Sequence, residues 1–183
     1  MSGEHSIWLL PARETSEYRT LDTVITEYAE SCSDAPDVRP HVTVLGGVSE
    51  GREFVERRTR KPIRGVEPFE LESARVSCST TNHQRVFRLV DPSVEVLELH
   101  QRALERFGVT GGMYVPHLSP VYSGMGHQDR VELTRMTDME SLPGSVRTDT
   151  VEAVSTGGTY QSGRRSRRLV SSESVENRRA THG

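Results

Sequence analysis

A pattern of proline, histidine, apolar residue and hydroxyl residue occurs twice in this chain, at residues 40–43 and 116–119. The two histidines are 76 positions apart, and each copy of the pattern lies in an apolar run. In an extended strand, residues i and i+2 point to the same face. His41 and Thr43 are therefore expected to share one face of a strand, and the second copy repeats this arrangement.

If the two strands lie side by side, the imidazoles of His41 and His117 converge on one cleft with the hydroxyls of Thr43 and Ser119. Histidine has an unperturbed pKa of ~6.5, so it can donate or accept a proton at neutral pH. Hydroxyl groups can donate hydrogen bonds to phosphate oxygens that gain charge during reaction. The four residues therefore predict acid–base chemistry on a phosphate that requires no metal.

Metal-binding and disulfide patterns are missing from the sequence. A zinc site needs three or four closely spaced ligands, but the other histidines are scattered and no Cys-x-x-Cys occurs. The two cysteines, Cys32 and Cys78, indicate reduced thiols rather than a disulfide framework. We therefore expect no metal, no cofactor and a cytoplasmic location.

The bulk composition suits a globular protein of 183 residues with a buried core. No apolar run is long enough to span a membrane, and the N-terminus lacks the features of a signal peptide. The net charge of −3 is uneven, because residues 162–183 hold six arginines and only two glutamates. We expect one domain over 1–171, followed by a disordered polar tail over 172–183.

Strands and helices that could position the motifs follow from the spacing of apolar residues and from turn signals. Helices are predicted at 16–31, at 50–58, from Pro92-Ser93 to a cap at Gly108, and around 129–136. Strands are predicted at 6–10, 41–45, 69–77, 85–90, 117–122, 146–155 and 159–169, with Gly46-Gly47 ending the second strand. Both halves thus run from a helix through a proline connector to a histidine strand. This order predicts an α+β fold with two pseudo-symmetric lobes of antiparallel sheet, flanked by helices, around a central cleft.

The chain resembles the 2H phosphoesterases, which carry one His-x-Thr/Ser motif in each of two related lobes. It looks most like the plant and yeast cyclic nucleotide phosphodiesterases in this superfamily. Besides the two motifs, the resemblance lies in three stretches: 7–11 (Ile-Trp-Leu-Leu-Pro), 76–87 and 114–119 (Tyr-Val-Pro-His-Leu-Ser). It covers about residues 6 to 170.

The resemblance implies hydrolysis of cyclic phosphates on ribose, namely ADP-ribose 1″,2″-cyclic phosphate or nucleoside 2′,3′-cyclic phosphates. It assigns His41 and His117 as the catalytic pair, and Thr43 and Ser119 as phosphate ligands. The order it favours has His117 activating water and His41 protonating the leaving oxygen. A small-molecule substrate and a monomeric protein are expected.

Three further residues gain a role from the resemblance. Tyr122 is expected to line the phosphate site, and Trp8 to border the same cavity. His83 stands in the central hairpin where plant relatives have an aromatic residue that can contact a base. We therefore treat these three residues as candidate substrate-binding residues.

Two other functions remain open. RNA 2′,3′-cyclic phosphodiesterases and 2′-5′ RNA ligase-like proteins belong to the same superfamily, but they follow the first motif with a basic residue and Phe-Leu-Gly. Here Leu-Gly-Gly-Val follows at 45–48, which favours a small substrate, whereas the Arg-rich segment 163–168 favours RNA ends. The third possibility is a non-catalytic RNA-binding module.

Overall fold

The computed structural model describes residues 4–31, 38–60, 62–78, 86–121, 127–136, 142–156 and 166–168. These residues form four helices and seven strands. In chain order they are β1 (His5–Pro11), α1 (Ser16–Ser31), β2 (Val42–Val48), α2 (Arg52–Thr59), β3 (Phe69–Cys78), β4 (Val86–Val90), α3 (Val94–Phe107), β5 (His117–Val121), α4 (His127–Met136), β6 (Ser145–Ser155) and β7 (Ser166–Arg168). No helix in these ranges is both long and apolar enough to cross a membrane.

The seven strands form one sheet in the order β1-β2-β5-β4-β3-β6-β7, and every neighbouring pair is antiparallel. The long strand β6 also pairs with β1, so six of the strands close into a ring. The predicted α+β class with an antiparallel sheet and flanking helices is confirmed. The two histidine strands, β2 and β5, are direct neighbours, which joins the two halves of the chain at their motifs.

The two long helices begin and end where the sequence predicts. In α1, Leu21 and Ile25 lie on the buried face at helical spacing. The side chain of Ser93 accepts a hydrogen bond from the backbone N–H of Val96 and caps the start of α3. Gly108 ends α3 in the left-handed conformation, at φ 66°. The N–H of the following residue then bonds back into the last helical turn, as in a Schellman cap.

The prediction that Gly46-Gly47 ends the second strand was wrong, because β2 continues to Val48. Opposite His5 and Ile7 of β1 stand Val48 and Leu45, so β2 carries an extra residue at the glycines. Gly47 has φ 72°, a backbone conformation that glycine adopts without steric cost. The glycine pair therefore forms a β-bulge, which bends the strand instead of ending it.

The two faces of the sheet differ in what they bury. Alternate residues of β1, such as Ile7 and Leu9, belong to the main core, which also contains the buried residues of α3. The other face carries a smaller apolar cluster of Trp8, Leu10 and Val154. Trp8 stands opposite Thr43 in the pairing of β1 with β2, so this second face is the one that β1 shares with the first His-x-Thr motif.

Candidate active site

The pairing of β2 with β5 brings the two motifs onto one face of the sheet. Val42 stands opposite Leu118. Continued by one residue along this antiparallel ladder, the register sets Thr43 opposite His117. Directly opposed residues share a face, and His41 shares that face with Thr43 because the two are i and i+2. The two motif strands therefore lie side by side, which is the condition under which their histidines and hydroxyls converge.

Both imidazole rings are oriented by the same backbone contact. The Nδ1 atom of His41 lies 2.7 Å from the carbonyl oxygen of Arg39, and Nδ1 of His117 lies 2.7 Å from the carbonyl oxygen of Val115. A carbonyl oxygen can only accept a hydrogen bond, so Nδ1 carries the proton in both rings. The residue before a proline is held extended, which presents this carbonyl to the histidine two positions later. Nε2 is therefore the unprotonated nitrogen of each ring, the atom that can accept a proton.

His41 lies deeper in the protein than His117. It is 2% exposed, and its ring stacks on the indole of Trp8 with a centroid distance of 3.5 Å and an interplanar angle of 11°. Burial lowers the pKa of His41 from 6.5 to about 4. The hydrogen bond to the carbonyl of Arg39 opposes this pKa shift, whereas repulsion from Arg39 and from the protonated form of His117 adds to it. Burial also lowers the pKa of His117, which is only half-buried. Both imidazoles are therefore neutral in the free protein at neutral pH.

A cavity of about 540 Å³ opens beside His117. Its walls are formed by residues 43–46 of β2, by residues 113–115 before β5, and by Phe87, His100 and His117. The ring of Phe87 lies 5.3 Å from that of His117, tilted by 58°. This volume falls in the range of small-molecule sites, and the cavity combines apolar walls with a motif hydroxyl and a motif imidazole.

His100 and Tyr114 support the backbone of β2 at this cavity. Their rings stack at 3.8 Å with an angle of 6°. Nδ1 of His100 donates to the carbonyl of Val44 at 2.7 Å, and the hydroxyl of Tyr114 donates to the carbonyl of Thr43 at 3.1 Å. We did not single out either residue from the sequence. Tyr114 stands in one of the stretches that carry the family resemblance, whereas the position of His100 within a helix gave no signal.

An ion pair between Arg39 and Glu152 also lies on this face, and no local pattern in the sequence predicts it. The guanidinium NH2 of Arg39 lies 2.5 Å from Oε2 of Glu152. Glu152 is 1% exposed and stands opposite Trp8 in the pairing of β6 with β1. The two charges are far apart in sequence and become neighbours only through the closure of the sheet by β6.

Four predicted site residues lie within the described part of the structure with their side chains: His41, Thr43, His117 and Trp8. Trp8 is 4% exposed and packs against the imidazole of His41 rather than among the cavity-lining residues, so its contact with substrate stays a prediction. The side chain of Ser119 and the whole of Tyr122 and His83 lie outside the described residues.

Within the described ranges, no three His, Cys, Asp or Glu side chains come together in a way that could hold a metal ion. Cys78 is a free cysteine, and Cys32 lies outside the described residues.

The chain is similar in sequence to known cyclic phosphodiesterases. The sequence profile of the family described as cyclic phosphodiesterase-like protein matches residues 1–161. A cyclic phosphodiesterase of Arabidopsis thaliana is 25% identical over 129 residues, which cover 69% of this chain and 68% of that protein.

Among solved structures, E. coli LigT complexed with ATP superimposes with a TM-score of 0.59 at 11% identity, covering 92% of this chain and 98% of that one. LigT complexed with phosphate gives a TM-score of 0.55 at 10% identity, with the same coverage. At this identity the two structures show the fold. Together with the profile match over most of the sequence, they establish that this chain belongs to the cyclic phosphodiesterase-like family of 2H phosphoesterases and is a phosphodiesterase.

Proposed function

We propose that this protein hydrolyses cyclic phosphodiesters on ribose to phosphomonoesters by metal-independent two-histidine catalysis. The substrates we favour are nucleoside 2′,3′-cyclic phosphates and ADP-ribose 1″,2″-cyclic phosphate. The observation that carries the proposal is the paired geometry of His41 and His117, which lie on one face of adjacent strands with Nδ1 of each ring bound to a backbone carbonyl.

The reaction needs one base and one acid. Water attacks phosphorus and loses its proton to one imidazole, while the bond from phosphorus to one ring oxygen breaks. The other imidazole, as imidazolium, gives its proton to that leaving oxygen. Thr43 would donate a hydrogen bond to a non-bridging oxygen as negative charge builds there, and we propose the same role for Ser119.

The order of the two histidines stays a prediction. The family resemblance favours His117 as base and His41 as acid. The burial of His41 points to the reverse order, since its pKa of about 4 makes it the harder of the two to protonate. The negative charge of a bound phosphate raises the pKa of a neighbouring imidazole, so the pH profiles of the enzyme–substrate complex decide the assignment.

A small substrate is favoured over a long RNA by the charge of the cavity. Among the described residues that line it, none is Lys or Arg. Binding an RNA backbone depends on neutralising several phosphates with basic side chains, and the Arg-rich segment 163–168 has no described side chain. The relatives are consistent with small ligands, since LigT structures hold phosphate and ATP.

The test is ³¹P NMR of the purified protein with nucleoside 2′,3′-cyclic monophosphates and ADP-ribose 1″,2″-cyclic phosphate, in EDTA. A new phosphomonoester signal is expected, and its chemical shift identifies which ring oxygen leaves. His41→Ala and His117→Ala should each lower the rate by about 10²–10⁴-fold, the usual contribution of a general acid or base. A requirement for added divalent metal would refute the mechanism.

Two further outcomes would redirect the proposal. Turnover of short RNAs with cyclic phosphate ends, but not of either small substrate, would move the protein to the RNA-end branch of the superfamily. Binding of RNA with no turnover of any cyclic phosphate would leave the non-catalytic binding module. Full activity in either histidine variant would show that the two motifs do not act as proposed.

A further inference from the structure

The ion pair of Arg39 and Glu152 lies beside the catalytic histidines, but proton transfer does not use it. The side chain of Glu152 is fully buried, and that of Arg39 is 20% exposed. Burying a carboxylate is costly even when it is paired with a guanidinium. A buried pair next to an active site therefore calls for an explanation in terms of what it holds in place.

Arg39 is bound at both of its ends. Its guanidinium donates to Oε2 of Glu152 on β6, and its backbone carbonyl accepts the Nδ1–H of His41. The following proline restricts the backbone of Arg39 to an extended conformation. With the side chain held by β6, the carbonyl cannot rotate away from the imidazole without disturbing the ion pair.

The second motif lacks this arrangement. The carbonyl that accepts from His117 belongs to Val115, which is 45% exposed and has no charged side chain. The same backbone contact therefore occurs twice, and among the described residues the His41 copy alone is tied to a buried ion pair. The two motifs are alike in sequence, but the residues that surround them in the fold differ.

We propose that Arg39 and Glu152 are positioning residues, which lock His41 in the tautomer with the proton on Nδ1 and so present Nε2 to the substrate. The role rests on the proposed two-histidine function, because a locked tautomer matters only if His41 exchanges protons with the reacting group. Neither residue is expected to contact the substrate.

The charges of the pair have a second, measurable consequence. The cation of Arg39 disfavours protonation of His41, as does His117 from β5. Glu152 on β6 offsets the charge of Arg39. Removing Arg39 should therefore raise the pKa of His41, whereas removing the charge of Glu152 should lower it. Two substitutions in one ion pair would thus shift the same pKa in opposite directions.

Other charged groups also act in this region. On α1, burial and the charge of Asp22 raise the pKa of Tyr18, while Arg13 and Arg39 lower it. Arg39 therefore interacts electrostatically with Tyr18 as well as with His41. They remain in place in both variants, so the difference between the variants isolates the ion pair.

The experiment is ¹⁵N-edited NMR of the imidazole side chains in the free protein, titrated with acid, for wild type, Arg39→Met and Glu152→Gln. Wild-type His41 is expected to show a single tautomer with the proton on Nδ1. Arg39→Met should give a mixture of tautomers and a raised pKa, and Glu152→Gln a lowered pKa. Arg39→Lys, which keeps the charge and a donor, should restore the wild-type tautomer.

A matched control is Arg102→Met, which breaks the ion pair with Glu98 on the exposed side of α3. It removes the same charge by the same substitution and should leave the tautomer and pKa of His41 unchanged. Unaltered imidazole signals of His41 in both Arg39→Met and Glu152→Gln would overturn the proposal. If one of the two variants fails to fold, the other still tests the proposal, because Arg39→Met should change the tautomer and raise the pKa of His41 and Glu152→Gln should lower that pKa.

Kinetics provide the second readout. The two variants should lower kcat by up to about 10²-fold, the scale of a misoriented catalytic group, with little change in KM. A change confined to KM would place these residues at the substrate instead. If the wild-type protein hydrolyses no cyclic phosphate, the proposed function fails, but the NMR titration still shows whether the ion pair controls His41.

Discussion

Replacing His41 with Asn should remove a specific source of acid instability. His41 is buried and stacked on Trp8, and its pKa falls from 6.5 to about 4 on folding. Between these two values the unfolded chain binds a proton that the folded protein rejects, so stability decreases as the pH falls. Above pH ~6.5 neither state is protonated at this position, and the effect vanishes.

The size of the effect follows from the shift. Each unit of pKa difference corresponds to about 1.36 kcal/mol, so the full depression is worth roughly 3 kcal/mol of unfolding free energy below pH ~4. Part of it is already present at pH ~5, where His41 should cost the wild type about 2 kcal/mol relative to pH ~7.5. This is a large share of the 5–15 kcal/mol by which proteins of this kind are typically stable.

Urea unfolding at these two pH values measures the difference. His41→Asn keeps a side-chain amide that can donate to the carbonyl of Arg39, but it cannot titrate. Its unfolding free energy should therefore fall by about 2 kcal/mol less than that of wild type on acidification. Thr43→Val is the matched control, since it changes the same face without removing a titratable group and should keep the wild-type pH dependence. Equal losses in wild type and His41→Asn would refute the reasoning.

Three further substitutions test the surroundings of the motifs. Thr43→Val should lower kcat by about 10²–10³-fold, because it removes a hydrogen-bond donor to the phosphate oxygens that gain charge during reaction. Steady-state kinetics measure kcat, and circular dichroism checks that the fold is intact. An unchanged kcat would contradict the prediction. Trp8→Ala should destabilise the protein by about 3–5 kcal/mol, the usual cost of emptying a buried indole site. Trp8→Phe should recover much of this loss. Equal urea midpoints for the two variants would argue that the stack on His41 adds no stability. Tyr114→Phe leaves the carbonyl of Thr43 without this donor and should cost about 1 kcal/mol in urea unfolding, and no loss would mean that the hydrogen bond adds nothing net.

Local sequence signals predicted most of the elements but not how they close into a ring. The bounds of α1 and the caps of α3 followed from apolar spacing, from Ser93 and from Gly108, which act within a few residues. The error at Gly46-Gly47 arose because glycine signals both a turn and a bulge, and only pairing with β1 decides between them. The double role of β6, which borders β1 and β3, depends on contacts between distant segments that no local pattern encodes.

The residues of the candidate site also fall into two groups: those that local patterns predict and those that only long-range strand pairing brings together. The repeated motif was sufficient to predict that His41 and Thr43 share one face, and likewise His117 and Ser119, because strand periodicity needs only neighbouring residues. That the two pairs meet depends on the pairing of β2 with β5. Trp8 reaches His41 through the pairing of β1 with β2, and Glu152 reaches Arg39 through the pairing of β6 with β1, so no local pattern predicts the two together.

The different surroundings of His41 and His117 bear on which of them acts as the acid and which as the base. Both histidines bind a carbonyl two residues earlier, so the motif alone makes them equivalent. Acid–base catalysis needs them to differ, because one ring must accept a proton while the other gives one up. In the fold, His41 is buried under an indole and beside a clamped guanidinium, whereas His117 faces the cavity. We therefore expect the pH dependence of kcat/KM to lose a different limb in His41→Asn and in His117→Asn, and loss of the same limb in both would mean that the surroundings do not separate the two roles.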